Sequence, residues 1–116
     1  MKLVRVINES RGVVLAEKAG LADNAWTRLR GLIGRPPLAA GEGLIIKPST
    51  GIHTFFMSYP IDAVYVSGEG VALHCLENVR PYRFAPISRQ CRMVVELPAG
   101  TVKRTRTVVG DRIMVE

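Results

Sequence analysis

Short β-rich runs recur along almost the whole chain, each closed within a few residues by turn-forming residues, and this punctuation constrains the fold more than any other feature. "KLVRVIN" (2–8) and "VVLAEKA" (13–19) flank the turn "ESRG" (9–12), the pattern of a hairpin. "LIIK" (44–47), "IHTFFM" (52–57), "IDAVYVS" (61–67) and "VALHCLE" (71–77) follow at short spacing, with "PSTG" (48–51) and "GEG" (68–70) among their turns. These four predict an antiparallel meander. "NVRPYRFAPISRQ" (78–90) carries two prolines and reads as an irregular crossing loop. "CRMVVELP" (91–98) and "RIMVE" (112–116) supply further strands, and "AGTVKRTRTVVGD" (99–111) between them begins as a short helical turn.

One segment breaks the period of two. In "DNAWTRLRGLIGR" (23–35), Trp26, Leu29, Leu32 and Ile33 recur at helical spacing and form one apolar stripe, with Arg28, Arg30 and Arg35 off it. Asp23 is the expected N-cap, Gly34 suits a left-handed C-terminal cap, and Pro36 and Pro37 end the helix. The expectation is a mainly β fold: a compact jelly-roll-like sandwich or partly closed barrel of short antiparallel strands, with one α-helix over about residues 24–34. At 116 residues the chain is a single domain, 1–116.

Charge and cysteine usage narrow the function classes. The chain carries 16 Lys+Arg against 10 Asp+Glu, a net charge of +6, which suits a small anionic ligand, a nucleic acid or a membrane surface. Only "KRTR" (103–106) is a dense basic run. The start "MKLVRVINES" is too short in its apolar stretch for a signal peptide, and no run approaches the roughly 20 apolar residues that span a bilayer. The reading is a cytoplasmic protein with no membrane partner. Cys75 and Cys91 are too few for a disulfide framework or a zinc site and are expected as reduced thiols.

Polar residues that interrupt apolar strand faces are the candidate site. In "IHTFFM" His53 shares a face with Phe55 and Met57; in "IDAVYV" Asp62 shares one with Val64 and Val66. A four-residue hairpin loop, Met57 to Pro60, makes His53 and Asp62 diagonal neighbours on one face, about 7–8 Å apart at Cα. Glu96 lies on the face of Val94, away from Met93, Val95 and Leu97. Unpaired buried charge is costly, so Arg28, Arg30 and Arg35 are the expected partners, each guanidinium able to fork onto a carboxylate. This constellation is either a ligand site or an Arg–Asp/Glu–His network fixing helix to sheet. His53, Asp62 and Glu96 could supply three metal ligands, but neighbouring arginines would repel a cation, so neither metal nor cofactor is expected.

The motifs "RLRGLIGR" (28–35), "GEGLII" (41–46), "IHTFFM" (52–57), "PIDAVYV" (60–66), "ELPAGT" (96–101) and "VGD" (109–111) occur in that order. Together they resemble the small bacterial and archaeal family called domain of unknown function 192, from about Val14 to Ile113. The resemblance implies a compact all-β, jelly-roll-like fold with one helix and no assigned activity. Its recurrent polar residues correspond here to Arg28, Arg30, Arg35, His53, Asp62, Glu96 and Asp111. One departure stands out: members often carry glycine where this chain has Arg106.

Three functional readings follow. The leading one is a small soluble binding module that holds a small polar, anionic ligand near His53, Asp62, Glu96 and the arginines. The second is a hydrolase-like enzyme at the same place, with His53 as general base oriented by Asp62. The third is a basic adaptor for nucleic acid or protein through residues 79–86, where Tyr82 and Phe84 are interleaved with Arg80 and Arg83; nucleic acid is the less favoured partner.

Overall fold

A computed structural model describes residues 1–30, 36–52 and 58–116, apart from the side chains of Ala25, Leu29 and Arg30. Its strands are β1 (Lys2–Asn8), β2 (Val13–Ala22), β3 (Glu42–Ile46), β4 (Ile61–Ser67), β5 (Ala72–Val79), β6 (Cys91–Pro98) and β7 (Ile113–Val115). Two short helices, α1 (Ala25–Arg30) and α2 (Thr101–Thr105), complete the described elements. The mainly β expectation holds. The helical turn expected within 99–111 is a helix in its own right.

The strands form one seven-stranded sheet in the order β5-β4-β6-β3-β2-β1-β7. β1 and β2 make the expected antiparallel hairpin. The meander is corrected: β4 lies between β5 and β6, and β3 lies between β6 and β2. The sheet is also mixed, because β2 and β3 run parallel. A parallel pair needs a crossover connection, and the segment from Asp23 to Gly41, which carries α1, supplies it. The expected strand "IHTFFM" lies outside the described residues from His53 to Met57.

The sheet curls until its two edge strands meet at one end. Val71 and Arg112, just before β5 and β7, form an isolated antiparallel bridge. Ala72 N–H donates to Asp111 O at 2.8 Å and Ile113 N–H donates to Gly70 O at 2.7 Å. The result is a half-barrel. Its concave side holds the main core, including Val6, Leu15, Ile45, Val64, Val95 and Leu97, with Val102 of α2 packed into it.

The outer side carries two smaller clusters. Ala22, Leu44, Ile46 and Ile61 pack with Leu38, Ile52 and Tyr59. Ala63, Tyr65, Cys91 and Val94 pack with Ala85 and Ile52. Among the described residues, loops rather than a second sheet cover this side.

Helix α1 is capped one residue later than expected. Asn24 Oδ1 accepts the Thr27 N–H at 2.9 Å, and Asn24 N–H donates to Thr27 Oγ1 at 3.4 Å. This is a reciprocal box in which threonine replaces the usual Glu or Gln. Asn24 displaces Asp23 because it stands three residues before a hydroxyl that can answer it. Trp26, expected in the apolar stripe, is 70% exposed. Leu32, Ile33 and Gly34 of that expectation lie outside the described residues.

Candidate functional site

Ladder register decides which polar residues can meet. Residues directly opposed across a sheet share a face, and successive residues alternate. Leu3, Gly20, Leu44, Glu96, Ala63 and Leu76 are opposed in turn across β1-β2-β3-β6-β4-β5 and form one outer row. Leu21, Ile45, Val95, Val64 and Cys75 form the adjacent inner row. Asp62 opposes Leu97 and so points into the concave core, while Glu96 points to the outer side. The two carboxyl groups face away from each other.

Asp62 is fully buried and holds two backbone segments. Its Oδ2 accepts the Val102 N–H at 2.8 Å. That amide belongs to the first turn of α2, whose own N-cap, Gly100, makes no side-chain cap bond. Oδ1 accepts the Asn78 N–H at 2.8 Å, where the chain leaves β5 with Asn78 at φ 52. Asp62 therefore acts as a cap supplied from another strand. Among the described residues it has no salt-bridge partner: the ion pairs there are Arg5–Glu116 and Arg11–Asp111. Arg28 Nη1 donates to Asp23 O at 3.4 Å. The side chain of Arg30, and all of Arg35 and His53, lie outside the description.

Glu96 is 4% exposed, and its flanking partners in the ladder are Leu44 and Ala63. Among the described residues, its Oε1 is the one buried side-chain polar atom with no hydrogen-bond partner. Burial pushes its carboxyl up to about 8, so the group is mostly protonated at neutral pH. A neutral carboxyl in this position can both donate and accept a hydrogen bond. Near it on the outer side, Tyr65 donates its hydroxyl to Pro86 O at 2.6 Å, and burial pushes that phenol up to about 12.

Asp111 belongs to a separate latch. Its Oδ2 accepts bonds from Asn8 Nδ2 at 2.9 Å, Val108 N–H at 3.0 Å and Arg11 Nε at 3.1 Å. Burial by itself would raise its pKa; the Asn8, Val108 and Arg11 bonds outweigh that, and the group is held below the usual carboxylate range. Asn8, fully buried, also donates to Thr107 Oγ1 at 3.0 Å and accepts the Arg11 N–H at 3.1 Å. Sequence reading missed Asn8. The available signal was an amide closing an apolar strand directly before a turn.

The thiols are poor nucleophiles, since burial pushes Cys75 up to about 11 and raises Cys91 as well. In the basic loop, Tyr82 is 56% and Phe84 79% exposed. No described group of His, Cys, Asp and Glu is arranged to hold a metal ion, and no described helix is long and apolar enough to cross a membrane.

A UPF0127 protein of Pyrococcus abyssi is 32% identical over 114 residues, covering 93% of this chain and 94% of the relative. A UPF0127 protein of Thermococcus sibiricus is 28% identical over 112 residues, covering 93% of this chain and 72% of the relative. A crystal structure from Sinorhizobium meliloti, of a protein designated a candidate transcription regulator, superposes with a TM-score of 0.82 at 28% identity. It covers 97% of this chain and 92% of that one. A protein of unknown function from Novosphingobium aromaticivorans shares the fold at a TM-score of 0.81 and 22% identity, with 97% and 83% covered. The family described as "Uncharacterized ACR", DUF192, matches residues 6–115, and the chain belongs to it.

Proposed function

We propose that this protein is a binding module for a small polar, anionic ligand, held on the outer side of the sheet with Glu96 as its polar anchor. One observation carries the reading: Glu96 is buried in an apolar wall and its Oε1 has no partner. An unsatisfied buried oxygen costs folding free energy, so a ligand that satisfies it recovers that cost on binding. A carboxyl that stays protonated at neutral pH donates to an anion instead of repelling it. The net charge of +6 favours the same class of ligand. The outer clusters beside Glu96 are roofed by loop residues such as Ile52, Tyr59 and Ala85, and loops are where binding residues concentrate. Arg28, Arg30, Arg35 and His53 remain the candidates for completing the site. Asp62 contributes through the fold, since its two oxygens are occupied by backbone amides.

A second reading is favoured by the same carboxyl. A group near 8 is suited to proton transfer at neutral pH, so an enzyme here would use Glu96 as its acid or base in place of the His53–Asp62 pair. The exposed Tyr82 and Phe84 support the adaptor reading more weakly.

The test is an amide NMR titration with acetate, inorganic phosphate and sulfate. Saturable shifts at Leu44, Ala63 and Glu96 that disappear in Glu96→Leu, which removes both donor and acceptor, are the expected result. Salt-sensitive shifts confined to residues 79–86 on adding a short single-stranded oligonucleotide, with none at Glu96 for any of the small anions, would replace the binding module with the adaptor.

A further inference from the structure

The outer row has a gap. Between Leu3, 63% exposed, and buried Leu44 stands Gly20, which contributes no side chain. Gly20 does not have a left-handed φ, so the backbone there accepts other residues, and what the glycine supplies is space. A cleft of about 420 Å³ opens over it, walled by Pro36, Pro37 and Leu38. That volume lies within the range of small-molecule sites. The chain reveals the shape of the space. The thioether of Met1 lies 2.6 Å from the position a Cβ on residue 20 would take, so an unbranched chain already packs onto the glycine.

The mouth of the cleft carries one charge of each sign. Lys18 and Glu42 also line it and are opposed across the parallel β2–β3 ladder. Both are exposed, and no ion pair joins them. Glu42 Oε1 instead accepts the Ala39 N–H at 2.7 Å. A simple anion attracted by Lys18 would face the Glu42 carboxylate, and a simple cation would face Lys18. A head group bearing both charges a few ångström apart matches both, because neighbouring strands lie about 4.8 Å apart.

We propose that the cleft over Gly20 binds a small zwitterion with an unbranched apolar chain, of the α-amino-acid class. Its carboxylate pairs with Lys18, its ammonium with Glu42, and its chain lies on Gly20 and Leu44 after displacing the end of Met1. This site is independent of the one proposed at Glu96, with Leu44 standing between them in the row.

The test is a ¹⁵N amide titration of the full chain with L-norleucine, hexanoate and n-pentylamine, the last two lacking the ammonium and the carboxylate respectively. Norleucine is expected to give saturable shifts at Lys18, Gly20 and Leu44 in the millimolar range, as suits so small a ligand, with each single-charge analogue about tenfold weaker or more. Gly20→Val, which fills the gap, and Lys18→Gln are each expected to weaken norleucine by about tenfold or more. Should Gly20→Val fail to fold, Lys18→Gln decides, because Lys18 is exposed and its loss leaves the strand intact. No saturable shift up to about 50 mM, or hexanoate binding as well as norleucine, overturns the proposal. So does binding that survives Gly20→Val and Lys18→Gln but is lost in Glu96→Leu, which would assign it to the Glu96 site.

Discussion

Asp62 and Glu96 stand on adjacent strands and carry the same functional group, yet their surroundings give them opposite tasks. Asp62 accepts two backbone N–H bonds in the core, and Glu96 leaves an oxygen unpaired in the outer wall. The sequence marked both as polar interruptions, and parity placed Glu96 correctly on the face of Val94. The partners of Asp62 were not legible, because one is a backbone amide forty positions away and no side-chain pattern announces it. Both of its oxygens already accept backbone N–H bonds. Asp62→Asn turns an amide nitrogen toward one of these two N–H groups, the Val102 one buried, and should cost roughly 1–3 kcal/mol in urea melts. A loss below about 0.5 kcal/mol, the range of a surface substitution, would contradict the capping role.

At the scale of elements, strands were legible and their neighbours were not. Alternation reveals which residues share a face, but a strand's partner depends on chain closure over long distances. β6 enters between β3 and β4, and nothing local in "CRMVVELP" specifies that. The parallel pairing of β2 with β3 follows from the crossover that carries α1; the sequence predicts the helix there, but not the strand direction it imposes. The turn after α2 shows the converse. Arg106 ends the helix at φ 58 and ψ 30, the left-handed region where glycine is the default. A glycine would serve the same cap without a side chain to strain it. Arg106→Gly should stabilise the protein by about 0.5–1 kcal/mol, raising the melting temperature by a few degrees. A lower melting temperature would mean that the arginine side chain outweighs the backbone strain.

Over the whole molecule, one curled sheet separates two kinds of surface. The concave side with α2 and the Asn8–Asp111 latch holds the fold together, and the outer side carries the residue that the fold would be better without. This division has a pH signature. The Glu96 carboxyl titrates at about 8 in the folded chain against an ordinary value of 4.5. Between those values the folded state keeps a proton that the unfolded state has lost. Stability therefore falls as pH rises through that window, by up to about 1.4 kcal/mol per pH unit, and levels off above it. Asp111, held low, acts with the opposite sign: the stability it adds at higher pH is lost on acidification below its ordinary value of 3.8.

The most direct measurement is the stability of wild type and Glu96→Gln by denaturant melts from pH 5 to 9. The difference between them is expected to change with pH in favour of the variant, growing as pH rises toward 8 and then constant. A difference independent of pH would mean that Glu96 titrates normally, and would contradict a buried, neutral carboxyl kept on the outer side as the anchor of a site.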